Sequence, residues 1–212
     1  MILYSYWRST TSYRVRVALN LKGISYETRP VNLVAHEQNA PDYVKLNPIQ
    51  GVPTMVTDAG DTLIQSLALL EYLDETQPEP PLLPSDPVPR ARVRGAAQTI
   101  AMEIHPINNL KVLSYLKDRL DHSQDEAVDW MRHWMTEGFT AFEAQIDSGT
   151  PFSFGETPTM ADICLAGQMI NARRWGLDTS PFPRLVQIDT ACRALAAFRD
   201  AEPENQPDAT PL

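Results

Sequence analysis

Four hydroxylated residues stand in a row, Ser9, Thr10, Thr11 and Ser12, inside the stretch Trp7–Val17, WRSTTSYRVRV. An apolar run, Ile2-Leu3-Tyr4, comes before it and Ala18-Leu19 after, so the hydroxyls fall where a strand gives way to a helix. Helix starts carry unpaired N–H groups and a partial positive charge, which suit an anion. The hydroxyls there can cap the helix. They can also hold a thiolate, because a helix dipole and hydroxyl donors lower a thiol's pKa. Arg8 flanks the cluster, and Gln65-Ser66 marks a second strand-to-helix junction of the same kind. Arg173 and Arg174, in NARRW, close a helical pattern, where arginine either complements the helix end or binds a carboxylate. The histidines, His36, His105, His122 and His133, show no metal-ligand spacing, and Cys164 and Cys192 lie too far apart for CxxC. No metal is assigned. Asp162, in Thr159-x-x-Asp162, reads as a structural capping box.

The elements that must position these groups follow from the pattern. Ile2–Tyr6 predicts a buried strand and Ser12–Gly23 a helix, with Tyr13, Val15 and Leu19 on its buried side. Tyr26–Leu33 predicts a second strand whose Pro30 favours an edge, giving a right-handed βαβ unit. A short helix over Pro41–Leu46 follows, then the Pro48-to-Pro53 turn and an apolar strand. A hairpin at Asp58–Asp61 leads to Thr62-Leu63-Ile64 and a helix from Ser66 to Pro78. The order is that of an α/β, thioredoxin-like domain. Gln77–Pro89 holds six prolines and reads as a stiff linker. Beyond it the periodicity is helical throughout: a first helix broken by Pro106, Asp125–Ile146 with Trp130, Trp134 and Phe142 for the core, a helix from Thr159 to about Trp175, and Pro183–Phe198. The domains expected are 1–80, α/β, and 88–212, all-helical.

The 212 residues suffice for a large core. A net charge of -9 argues against nucleic-acid binding, which needs a basic surface. No apolar run approaches the roughly 20 residues of a membrane span. With no evident signal peptide and only two cysteines, a cytoplasmic protein with reduced thiols is expected.

WRSTTSYRVRVAL resembles the zeta-class glutathione S-transferase signature SSCxWRVRIAL, and NPIQGVPTM, QSLALLEYL and PTMADICL fall where that class has its own versions. EIHPINNLKVL is similar to the bacterial branch containing maleylacetoacetate and maleylpyruvate isomerases. The resemblance implies the glutathione transferase fold, glutathione as cofactor, a homodimer in contact through the Leu63-to-Tyr72 region and the helix after Arg90, and isomerisation of maleylacetoacetate to fumarylacetoacetate. It implies a cis Pro53 that leaves the Val52 backbone to pair with the tripeptide, Gln65 and Ser66 at the γ-glutamyl carboxylate, and Gln50 at the glycyl end. Ser9 becomes the first donor to the sulfur, with Thr10 and Thr11 next. Arg8 and Arg174 would clamp a small dicarboxylate substrate, and His105 and Asn109 would line the cleft and add to the glutathione site. One departure matters: the signature has cysteine where this chain has Thr11. The sulfur nucleophile must therefore come from glutathione. Maleylpyruvate isomerase is the nearest alternative, although Asn108-Asn109-Leu110-Lys111 lacks the extra arginine of that branch. A general glutathione transferase or peroxidase is the next.

Overall fold

The computed structural model describes residues 1–210. The chain divides into two compact units, Met1–Leu82 together with the chain from Ala194 onward, and Leu83–Arg193. The stretch from Ala194, grouped with the helical region on sequence grounds, thus belongs with the first unit.

The first unit is built on a four-stranded mixed sheet. Strands β1 (Ile2–Ser5), β2 (Glu27–Pro30), β3 (Thr54–Val56) and β4 (Thr62–Ile64) lie in the order β2-β1-β3-β4. β1 runs parallel to β2 and antiparallel to β3, and β3 antiparallel to β4. The parallel pair is the βαβ crossover read from the sequence, and Pro30 sits on the edge strand, where its missing N–H costs no ladder bond. Helix α1 (Thr10–Leu21) buries Tyr13, Val15 and Leu19, and packs against α3 (Ser66–Thr76), which buries Leu69, Leu70 and Leu73. The short α2 (Pro41–Leu46) starts on its proline, whose fixed φ suits a first helical turn.

α1 begins two residues before the expected Ser12, because Ser9 is its cap: the Ser9 Oγ accepts from the Ser12 N–H at 3.1 Å. It ends on Gly23 at φ +63°, with the Ile24 N–H returning to the Leu19 carbonyl at 2.9 Å, the left-handed stop that glycine makes easy. The proline-rich stretch is tied down by Lys22, whose Nζ donates to Asp74 Oδ1 at 3.3 Å and to the Gln77 and Pro80 carbonyls at 2.6 and 2.9 Å.

The second unit is helical: α4 (Pro87–Gln98), α5 (Leu110–Leu120), α6 (Gln124–Glu143), α7 (Met160–Arg174) and α8 (Pro183–Ala194), which ends at the unit boundary. Pro87 and Pro89, expected in the linker, instead form the first turn of α4, capped by Asp86 on the Val88 N–H at 3.0 Å. Pro106 breaks the helix as predicted. α4 runs into a π-helical turn, Thr99–Ile104, and then a 3-10 turn, Pro106–Asn108. Gly138 of α6 lies so close to this π turn that a Cβ there would run into Cγ1 and Cδ1 of Ile104. The α6 core consists of Ala127, Met131, Met135, Phe139 and Phe142. Trp130 and Trp134 are half-buried and stack edge-to-face at 5.7 Å, so of the three aromatic residues expected in the core only Phe142 is there. α7 is the central core helix, and the buried Asp162 opens it by accepting from the Thr159 N–H (2.7 Å), Thr159 Oγ1 (2.8 Å) and the Ser153 N–H (2.7 Å). The last expected helix is broken at Leu195: α8 stops and a short α9 (Ala196–Arg199) starts afresh in the first unit.

Candidate active site

β1 ends at Ser5 and the chain turns, closed by the Ser9 N–H on the Tyr6 carbonyl at 2.9 Å, before entering α1. Ser9 is therefore held between a turn and a helix. Its Oγ lies 2.8 Å from Thr11 Oγ1, which donates to the Val52 carbonyl at 2.8 Å. A hydroxyl has one proton. With the Thr11 proton on Val52, the Ser9 proton points at Thr11, and Ser9 accepts from Ser12. Thr10 faces elsewhere: it is buried, at 4% exposure, while Ser9 and Thr11 are part-exposed. Arg8 lays its guanidinium over the Trp7 ring, 5.5 Å from the centroid.

Val52 leads into a cis peptide to Pro53, as the family resemblance implies. Among the described residues nothing accepts the Val52 N–H. The loop carrying it is pinned from below. Tyr43 Oη and Asn47 Nδ2 both bond the Gly51 carbonyl, at 2.5 and 2.9 Å, and both lie 2.9 Å from Thr54 Oγ1. Burial pushes the Tyr43 phenol above its ordinary value, with the Thr54 and Asn47 bonds opposing. Gln50, part-exposed on the same loop, has a left-handed backbone at φ +58°.

At the start of α3, Gln65 has φ +73°, a conformation that costs a non-glycine residue on the order of 1–3 kcal/mol and concentrates at functional sites. It is exposed, and the next residue, Ser66, is 5% exposed at the helix N-terminus. The buried Arg14 guanidinium donates to Ser66 Oγ at 3.3 Å. With that lone pair taken by a cation, the Ser66 proton is left to point toward an incoming anion.

In the second unit, His105 ends the π turn, its N–H reaching back to the Ile100 carbonyl at 3.1 Å. Asn109 Oδ1 caps α5 on the Lys111 N–H at 3.0 Å, which leaves its amide nitrogen as the group available to a ligand. Arg174 is half-buried, bonds Asn171 Oδ1 at 2.9 Å, and lines a cavity of about 530 Å³ with Arg132, Arg173, Trp175, Asp125 and Asp129. Arg173 is committed to a close ion pair with Asp189, and Arg132 Nε caps α7 at the Trp175 carbonyl, 2.8 Å away. No group of His, Cys, Asp and Glu suited to a metal occurs among the described residues.

The family model described as Glutathione S-transferase, N-terminal domain, matches residues 1–75. The maleylacetoacetate isomerase of Pseudomonas aeruginosa is 44% identical, over 98% of both chains. A bacterial zeta-class maleylpyruvate isomerase structure superposes with a TM-score of 0.96 at 42% identity, covering 99% of this chain and 100% of the other. The chain belongs to the zeta-class glutathione S-transferase family. A third relative in that family, the maleylacetoacetate isomerase of Anaeromyxobacter dehalogenans, has a structure with glutathione bound in its active site; it is 43% identical over 99% and 97% of the two chains, with a TM-score of 0.88.

Within the first unit, the expected glutathione residues Ser9, Thr11, Gln50, Val52, Pro53, Gln65 and Ser66 fall on three loops at the strand ends, and Thr11 ties the first loop to the second. Thr10, through its burial, stands apart from the other two hydroxyls. Sequence reasoning missed Arg14, Tyr43 and Asn47. Arg14 left a signal, a charge flanked by Tyr13 and Val15 on the buried face of α1; Tyr43 and Asn47 left none stronger than their nearness to the proline turn.

Proposed function

We propose that the protein is a glutathione-dependent cis–trans isomerase that converts maleylacetoacetate to fumarylacetoacetate. The observation that carries the reading is the set of three loops in one unit. A capped hydroxyl pair stands at the start of α1, an unpaired N–H precedes cis-Pro53, and a buried serine backed by Arg14 stands at the start of α3. These match the three ends of glutathione in chemistry: a thiol, a peptide backbone and an α-carboxylate.

Glutathione, when bound, supplies the thiolate that adds to the cis double bond and leaves again after rotation about the resulting single bond. Ser9 holds that sulfur ionised by turning its proton from Thr11 toward it, and the N-terminus of α1 adds its partial positive charge. Val52 binds the tripeptide backbone through its N–H and the second lone pair of its carbonyl. Ser66 and the α3 N-terminus hold the carboxylate, with Arg14 supplying the buried positive charge behind them. On this reading each unit offers an arginine to a substrate carboxylate, Arg8 in the first and Arg174 in the second. Asn109 and His105 complete the second unit's share. No protein cysteine takes part: Cys164 and Cys192 are buried, and burial pushes the Cys192 thiol well above its ordinary value.

A homodimer belongs to this reading. Val88 and Met102, large apolar side chains on the stretch beginning at Pro87, are 70% and 55% exposed, and light scattering on the purified protein tests it. No helix among the described residues is long and apolar enough to cross a membrane. The decisive assay is loss of maleylacetoacetate with purified protein. Turnover only when glutathione is present supports the reading, and equal turnover without the thiol defeats it. Maleylpyruvate, assayed side by side, ranks the two acids by kcat/KM.

A further inference from the structure

Both backbone polar groups of Trp7 are committed to groups outside their own loop. The N–H donates to Asp208 Oδ2 at 3.0 Å, and the carbonyl accepts from Arg16 Nη2 at 3.2 Å. Trp7 is the first central residue of the turn that the Ser9 N–H closes on Tyr6, so these two bonds fix the turn that delivers the Ser9 hydroxyl. Arg16 is fully buried, and its other donors reach the same distant segment and the end of β1. Nε and Nη2 bond the Ala201 carbonyl at 3.1 and 2.9 Å, and Nη1 bonds Ser5 Oγ at 3.0 Å.

The segment after α9 is anchored at more than one point. Asn20 Nδ2 holds the Ala197 carbonyl at 3.0 Å, and Ala201 and Pro203 are buried. A turn closed by the Ala209 N–H on the Gln206 carbonyl at 3.0 Å contains Asp208. A guanidinium without water is costly unless its donors are met and a negative charge stands near. Burial holds Arg16 down at about 10, and the Asp208 charge is one of the groups that oppose that fall. Asp208 supports the loop chiefly through its bond to Trp7, its charge being a lesser aid to Arg16.

We propose that residues 200–210 form a strap that positions the thiolate loop, with Asp208 as a positioning residue acting through the Trp7 N–H. The strap does not touch the sulfur. It sets where Ser9 stands, and it rests on the glutathione reading for its consequence in catalysis.

The test uses the full chain carrying Asp208→Ala or Asp208→Asn. Without glutathione, amide hydrogen exchange over residues 5–12 reads the loop itself. Asp208→Ala speeds it about tenfold, while Asp208→Asn, whose amide oxygen still accepts from Trp7, stays within about threefold of the parent. With glutathione, the thiolate absorbance titrated against pH reads the sulfur. Asp208→Ala raises the bound thiol's pKa by about half a unit and lowers kcat/KM about tenfold, whereas the asparagine variant keeps both near the parent. Unchanged exchange in the alanine variant, or an asparagine variant as impaired as alanine, overturns the strap. A parent protein that leaves the thiol of added glutathione unshifted overturns the glutathione reading instead, and the exchange arm still decides the strap.

Discussion

Replacing Ser9 by alanine removes two things at once, and their sizes can be separated. The first is the cap on the Ser12 N–H, seen at 3.1 Å, whose loss costs on the order of 1 kcal/mol of stability. The second is the donor that faces a bound sulfur. A hydrogen bond to an ionised group contributes about 1.5–3 kcal/mol, and at about 1.36 kcal/mol per unit its loss raises the pKa of bound glutathione by about one to two units. At neutral pH the thiolate fraction, and with it kcat/KM, falls about ten- to a hundredfold. Thr11→Val is the informative partner. It keeps the shape but removes the bond to the Val52 carbonyl and the acceptor of the Ser9 proton. Loss of the tie to Val52, one neutral bond at about 0.5–1.5 kcal/mol, weakens glutathione binding about two- to thirteenfold. The Ser9 proton is then freed for the sulfur, so the thiol pKa stays level or drops. Ultraviolet titration of the thiolate with saturating glutathione measures the pKa, and calorimetry the affinity. A Ser9→Ala protein whose bound thiol titrates within about 0.3 unit of the parent refutes the assignment of Ser9 as the sulfur's donor.

Arg174→Ala lowers kcat/KM for maleylacetoacetate about ten- to a hundredfold, through loss of a charge-assisted carboxylate bond, yet leaves conjugation of a neutral aryl halide within about threefold. Equal losses on both substrates mean that Arg174 does not bind substrate carboxylate. Asp162→Asn destabilises the fold by about 2–4 kcal/mol in denaturant unfolding, because three donors lose a carboxylate partner. Its pH dependence has a definite sign. Burial raises the folded-state pKa of Asp162 above the unfolded value. The folded state therefore binds the proton more tightly, and stability falls as pH climbs from the unfolded pKa through the folded one. The parent's advantage over Asp162→Asn narrows across that acidic window; an advantage that widens with pH contradicts the shift. Gly138→Ala pushes a Cβ into Ile104 and lowers stability by about 1–3 kcal/mol, read as a reduced denaturation midpoint; an unchanged midpoint means that the π turn yields without cost.

What was legible in the sequence is what local chemistry determines. Apolar runs and turn residues placed all four strands, and Pro106 placed the break before α5. The hydroxyl cluster, Val52-Pro53 and Gln65-Ser66 were visible because junction residues announce themselves by type. The misses are long-range. The start of α1 depended on which of four adjacent hydroxyls turns back on the helix, and Ser9 does so because the Tyr6 turn orients it. Trp130 and Trp134 lie at core spacing, yet Met131 and Met135, one residue on, take the buried positions. Arg16, between Val15 and Val17, carries the same local signal as Arg14, but nothing local names what it bonds. Its partners Ala201 and Trp7 are brought to it only by the fold, and so was the return of residues 194 onward to the first unit.

A crystal structure with glutathione bound decides whether Ser9 holds the sulfur. The sulfur is expected within hydrogen-bonding distance of Ser9 Oγ, the cysteinyl backbone paired with Val52, and the γ-glutamyl carboxylate on Ser66 at the start of α3. A sulfur held by the Tyr4 or Tyr6 hydroxyl, with Ser9 still bonded to Thr11, contradicts it.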